Sequence, residues 1–305
     1  IVWFTMAEPG GEIRDSVDDH CRRGGLAVVL EHSDLGDMIM IKEGRRSMQL
    51  AWTHLLPATF SGRATMNVQN AMAAAAAAFA AGASLHDIRQ GLRSFSTNYY
   101  LAPGRLNEVD VEGRTVIVDY CHNVPGMIML GDFVDKTGTA LESTNDLGRI
   151  SRIGVIATAG DRRNEDMREL GAEAARHFDV LIVREDSNLR ARAPGEVADL
   201  VTGGARQAMA DGARCKQVEI VLDELASVRH ALSRSNPGDL VVICVEQHAA
   251  VMAYLESYGH HAQPAQVRRH ARPDHRQRRR APRLAQRRGN GLPLPPRARD
   301  DRLDG

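Results

Sequence analysis

Hydrophobic positions change their spacing about a third of the way along the chain. Beyond residue 110, short apolar runs at 115–119, 153–158, 180–184, 218–222 and 240–245 alternate with longer stretches near 125–135, 164–177, 194–210, 223–234 and 249–258. In the longer stretches apolar residues recur every three or four positions, the period of an amphipathic helix. Strands alternating with helices of this length predict βαβ units and a largely parallel sheet. Right-handed crossovers then place the carboxyl ends of those strands on one side.

The first hundred residues follow another pattern. Residues 1–6 read as a strand and Glu8-Pro9-Gly10-Gly11 as a turn; 26–31 and 37–42 read as a hairpin pair joined through HSDLG. The alanine-rich stretch 64–81 predicts a helix, with Gly82 as its stop. Ser84 and Asp87 form a capping-box signature for a second helix over 85–94. Between the two halves lies the turn Ala102-Pro103-Gly104-Arg105, followed by a short strand pair whose second strand ends in Asp119, Tyr120, His122 and Asn123.

On the predicted rim of the parallel sheet collect Asp119 and His122, then Gly160-Asp161-Arg162-Arg163, Glu185-Asp186-Ser187-Asn188, and Glu246-Gln247-His248. Any one of these is ordinary strand-to-helix punctuation. Four together at the carboxyl edge point to a site, because open α/β sheets bind ligands there. Gly160 with Arg162 and Arg163 at a helix start suits phosphate. Asn67 and Asn70 share one face of the first turn of the alanine-rich helix. Taken alone they read as a cap and a solvated amide; the functional alternative is a pair of amides facing a ligand.

Charge and cysteines narrow the classes. The chain has no net charge, but residues 263–305 carry 13 Arg against 4 Asp. That segment has no apolar period, so it is expected to be disordered. It contains no aromatics for base stacking, so nucleic acid is not expected as a partner. With 36 Arg against 3 Lys in the chain, the segment reads instead as a non-native, frame-shifted end of a GC-rich gene. Ile1 opens directly on an apolar stretch, which reads as a cut edge inside a domain. Four scattered cysteines without CxxC spacing argue against zinc and fit a reducing cytoplasm. No apolar run reaches the ~20 residues of a membrane span. No Gly-x-x-x-x-Gly-Lys-Ser/Thr, GxSxG, HExxH or GxGxxG occurs.

Five segments, MNVQNAMAAAAAAFAAG at 66–82, APGRLN at 102–107, VIVDYCHN at 116–123, ATAGDRRNED at 157–166 and REDSNLRAR at 184–192, stand in an order and at distances that resemble the Mur ligase superfamily, in its cyanophycin synthetase branch. The resemblance covers roughly residues 1–262. It implies an α/β architecture: the end of a Mur-ligase central ATPase domain over 1–100, then a Rossmann-like Mur ligase carboxyl-terminal domain over 101–262. It implies an ATP-dependent amide ligase using ATP and Mg²⁺, which in that branch joins arginine to aspartate side chains of a poly-aspartate (cyanophycin) primer. By the same resemblance Asn70 and Asn67 contact adenine, Arg105 reaches the phosphates, and Asp119 holds the ribose, with His122 and Asn123 completing its loop. Asp161 and Arg162 fall on the phosphate side. Asp186, Asn188 and Arg190 stand where the family has its loop for the incoming amino acid. Binding free arginine calls for carboxylates around the guanidinium, and Glu185, Asp186 and Glu246 are the candidates.

Departures from the family pattern are equally specific. Many Mur ligases have His where Met66 stands, and the phosphate loop and most Mg²⁺ ligands are not in this chain. The 305 residues alone are therefore expected to be inactive. Two alternatives stay open: a non-catalytic nucleotide- or amino-acid-binding module, and a nucleic-acid binder acting through the arginine-rich segment. Arg105 and Asp119 have their own bland reading, a structural pair across the joint. A homo-oligomer is compatible with the pattern; a membrane partner is not.

Overall fold

The computed structural model describes residues 1–144 and 148–258; the segment set apart at 263–305 lies outside the described residues. The first half is a four-stranded sheet in the order β1 (Val2–Thr5), β2 (Leu26–Ser33), β3 (Gly36–Glu43), β4 (Arg46–Trp52). β1 pairs parallel to β2, and the other pairs are antiparallel. Alternation along β2 decides what covers each face. Val28 and Leu30 pack under α2 (Thr65–Ala80) with Val68, Met72 and Ala75, while Ala27 and Val29 meet Val17 and Cys21 of α1 (Glu12–Arg22). α3 (Leu85–Ser94) starts at Ser84, whose hydroxyl accepts the Asp87 amide as the capping signature requires.

The strand-and-helix alternation of the second half is borne out. β5 (Asn107–Val111), β6 (Arg114–Asp119), β7 (Arg152–Ile156), β8 (Val180–Val183), β9 (Gln217–Ile220) and β10 (Leu240–Cys244) form one sheet in the order β5-β6-β10-β7-β8-β9. Only the β5–β6 pair is antiparallel. Between them run α4 (Val124–Thr144), α5 (Asn164–His177), α6 (Glu196–Ala210), α7 (Glu224–Arg234) and, after β10, α8 (His248–Tyr258). α4, α5 and α6 cover one face over Ile117, Ile156 and Val242; α7 and α8 cover the other over Val118, Val155, Val241 and Ile243. α4 extends well past the predicted 135. Its Gly131 and Gly138 leave room for side chains from below: a Cβ there would sit 2.3 Å from the His177 ring and 2.2 Å from Arg152.

The two halves are tied at the start of α2. Ala64, Phe60 and Met66 pack with the α4 core, and Thr65 Oγ1 donates to Asp132 at 2.8 Å. All four cysteines are free and buried, and no helix among the described residues is long and apolar enough to cross a membrane. What positions the site is the place of β10. The chains leaving β6 and β7 turn to one face, and the chain leaving β10 turns to the other, which opens a crevice at the carboxyl ends of these three strands.

Candidate functional site

A cleft of about 220 Å³ occupies that crevice. The loop after β6 contributes Tyr120, Cys121 and His122; the loop after β7, Asp161 and Arg162; the end of β8 and its loop, Arg184, Asp186, Asn188 and Arg190; the loop after β10, Glu246. His122, Asp161, Arg162, Asp186, Asn188, Arg190 and Glu246, each picked out from sequence, thus line one cavity. Carboxylates and guanidinium groups share it, so the cavity suits a ligand carrying both signs of charge.

Two buried groups that sequence reasoning did not place, Arg184 and Glu224, and one that it did, Glu185, hold this rim. Arg184, 2% exposed, donates to the Cys244 carbonyl at 2.8 Å, to the Glu185 carbonyl at 3.1 Å and to Asp186 Oδ1 at 3.0 Å, and its Nη2 lies 3.3 Å from Glu224 Oε1. All three of its nitrogens are therefore engaged by the protein. Glu224 in turn accepts the Glu246 and Gln247 amides at 2.6 and 3.0 Å. Glu185 corrects an expectation: its carboxylate accepts the amides of Gly195, Val197 and Ala198 at 2.9, 3.0 and 3.1 Å. It caps α6 from a neighbouring strand, where the helix dipole favours negative charge, instead of offering itself to a guanidinium. Glu246 spans two loops, accepting Ser187 N at 2.7 Å and Ser187 Oγ at 2.9 Å. The only prior signal for Arg184 was its position at the end of an apolar strand, whereas Glu185 was picked out with the rim but for a different partner.

Beside the cleft lies the turn that carries Arg105. Asn107 stitches it: its Oδ1 accepts Gly104 N at 2.6 Å, and its Nδ2 donates to Thr97 O and Ala102 O, both at 2.8 Å. Arg105 is exposed, with its guanidinium carbon 5.5 Å from the centroid of the Tyr120 ring. Asp119 Oδ2 accepts Leu106 N at 3.0 Å. Part of the Asp119 residue remains exposed while its carboxyl group is enclosed, and that burial pushes the group above the ordinary carboxylate range. Asn123 Oδ1 accepts Gly126 N at 2.8 Å and so begins α4. Asn67 donates to Ala58 O at 2.7 Å and accepts from Asn70 Nδ2 at 3.2 Å. Asn67, Asn70, Arg105, Asp119 and Asn123 stand apart from the cleft lining, and Tyr120 links the two groups. Among the described residues no cluster of three or more His, Cys, Asp or Glu could hold a metal ion.

Residues 104–245 match the Mur ligase, glutamate ligase domain. Over 248 residues the chain is 37% identical to the cyanophycin synthetase of Crocosphaera subtropica, a match covering 81% of this chain and 26% of that protein. The chain thus spans about a quarter of the length of the curated relatives it matches. Among solved structures, a murein peptide ligase from Psychrobacter arcticus superposes with a TM-score of 0.53 at 16% identity, covering 84% of this chain and 51% of that one. A Mycobacterium tuberculosis folylpolyglutamate synthase complexed with ADP gives 0.50 at 17% identity, covering 86% and 56%. At these identities the two structures show a shared fold.

Proposed function

Since this chain belongs to the Mur ligase family by its glutamate ligase domain, residues 104–245, we propose that it is a portion of an ATP-dependent amide ligase that joins arginine to aspartate side chains of a poly-aspartate primer. Residues 1–100 are the end of the central ATPase domain and 101–262 the carboxyl-terminal domain. In the reaction an aspartate side-chain carboxylate takes the terminal phosphoryl group of ATP, giving an acyl phosphate and ADP. The amine of arginine attacks the acyl carbon, phosphate leaves, and an amide remains. Such chemistry depends on positioning and on neutralising phosphate charge.

One observation carries the reading: four loops from separate strands bring seven sequence-selected residues into a single cleft. Asp186 and Glu246 are the acids for the guanidinium, Asn188 and Arg190 the partners for the amino-acid head, and Asp161 and Arg162 the phosphate side. Asn67 and Asn70 serve adenine, Asp119 the ribose and Arg105 the phosphates. Among the described residues there is no group of three or more His, Cys, Asp or Glu that could hold a metal ion, and most of the Mg²⁺ ligands are expected elsewhere in the longer enzyme.

Calorimetric titration of this chain with L-arginine, L-lysine and L-glutamate tests the arginine site. Arginine should bind, with lysine at least about tenfold weaker because an ammonium cannot engage two carboxylates in a planar fork. Glu246→Gln should weaken arginine by about tenfold. With ATP and primer added, no arginine should enter polymer, since no phosphate loop lies in the 305 residues. A preference for glutamate, or no arginine binding at all, would overturn the assignment.

A further inference from the structure

Arg192 lies two residues beyond the last cleft residue of its loop. Its Nε donates to Gly160 O at 2.7 Å, its Nη2 to Arg162 O at 2.9 Å, and its Nη1 to Glu196 Oε1 at 2.7 Å. Glu196 is itself fixed by accepting Ala193 N at 3.1 Å. One guanidinium therefore grips two carbonyls of the loop after β7 while standing on the loop after β8. The same two loops meet backbone to backbone nearby: a Cβ on Gly160 would lie 2.3 Å from Leu189 O. Just beyond that contact Arg190 and Ala191 hold φ values of 50° and 68°. Left-handed backbone is unfavourable for residues with a side chain, so its retention in this loop needs outside support.

We propose that Arg192 is a positioning residue that clamps these two loops together and sets the spacing between Asp161 and Arg162 on one side of the cleft and Asp186, Asn188 and Arg190 on the other. The missing side chain at Gly160 serves the same contact. This rests on the cleft being the arginine site. A lysine cannot replace the clamp, because a single ammonium lacks the planar fork that reaches both carbonyls. The competing account is an ordinary surface pair between Arg192 and Glu196, which would add little; Glu196→Ala separates the two accounts.

Amide hydrogen exchange over 159–163 and 186–192, melting temperature and arginine affinity are measured for Arg192→Ala, Arg192→Lys, Gly160→Ala, Glu196→Ala and the Arg192→Ala/Gly160→Ala double variant. Arg192→Ala and Arg192→Lys should speed exchange in both loops and weaken arginine, each by about tenfold, with the melting temperature held. Gly160→Ala should speed exchange and weaken arginine in the same way, and it should also lower the melting temperature, because its Cβ would meet the Leu189 backbone oxygen. The double variant should be no worse than either single change, because both act on one contact. Glu196→Ala should leave exchange and affinity near wild type. Unchanged exchange in Arg192→Ala, full rescue by lysine, or faster exchange with intact arginine affinity would each overturn the clamp. If the wild-type chain fails to bind arginine, the reading of the cleft falls, and the exchange measurements still decide whether the loops are clamped.

Discussion

Replacing Asp119 by Asn and by Ala separates two roles of one carboxylate. Its Oδ2 accepts the amide of Leu106, a residue 3% exposed and held at φ 47°. Burial is the largest influence on its titration and raises it above the ordinary 3.8, against the lowering pull of the Leu106 amide, Arg105, the Cys121 amide and His122. For an acid with a raised folded pKa, the stabilising contribution is complete below the unfolded value and is lost as pH rises through the folded value. Each unit of elevation costs about 1.4 kcal/mol once the pH is above both. Asp119→Asn keeps an acceptor for Leu106 and carries no charge. Asp119→Ala also carries no charge but leaves the Leu106 amide without its partner, at about 2 kcal/mol, or roughly 4–8 °C in melting temperature for a chain of this size. The two variants should therefore differ by that amount at every pH. The wild type should melt with Asp119→Asn at the acid end and fall below it as pH rises, which thermal melts between about pH 4 and 8 would follow. Coincident melts of the two variants would refute the Leu106 bond, and a pH-independent gap between wild type and Asp119→Asn would refute the burial argument. In the longer enzyme, Asp119→Asn should still raise the KM for ATP, since an amide is a weaker acceptor for ribose hydroxyls than a carboxylate.

Two further substitutions test the scaffold. Glu185→Ala uncaps three amides at the start of α6 and should lower unfolding free energy by about 2–3 kcal/mol in urea titrations; a change within about 0.5 kcal/mol would show that water replaces the carboxylate. Gly204→Ala would set a Cβ 1.8 Å from Arg168 O where α5 crosses α6, whereas Gly203→Ala meets nothing within 4 Å. The first should cost about 3 kcal/mol or more and the second should stabilise by up to about 1 kcal/mol, and equal midpoints for the two would contradict the crossing geometry.

The strands and helices after residue 110 were legible because each strand is a continuous apolar run closed off by polar residues. The cleft was legible for the same reason, since parallel topology alone sends those polar residues to one edge. α1 was not read: among its largely charged residues, Val17 and Cys21 make a stripe one side chain wide, and Arg14 is buried there, its guanidinium donating to Leu30 O at 3.2 Å. β4 was missed because a register shift near Ile39 and Met40 breaks the expected alternation in its pairing. The second half of α4 reads as a loop, being rich in Thr and Gly, until Arg152 and His177 are seen to need its glycines. Arg184, Glu185 and Arg192 act on backbone groups far away in sequence, and no local pattern encodes such a partner.

The place of β10 also has a bearing on how the chain reaches its final form. Ribosomes deliver β6, β7, β8 and β9 well before Leu240, yet β10 is the strand that joins β6 to β7. Until it emerges, a growing chain holds two half-sheets, β5-β6 and β7-β8-β9, each with an open edge facing the slot between them. Exposed edges are templates for wrong partners, and pairings between residues far apart in sequence close slowly. β10 is thus the keystone of the sheet, and the cleft along its carboxyl end cannot form until Leu240–Cys244 has been made.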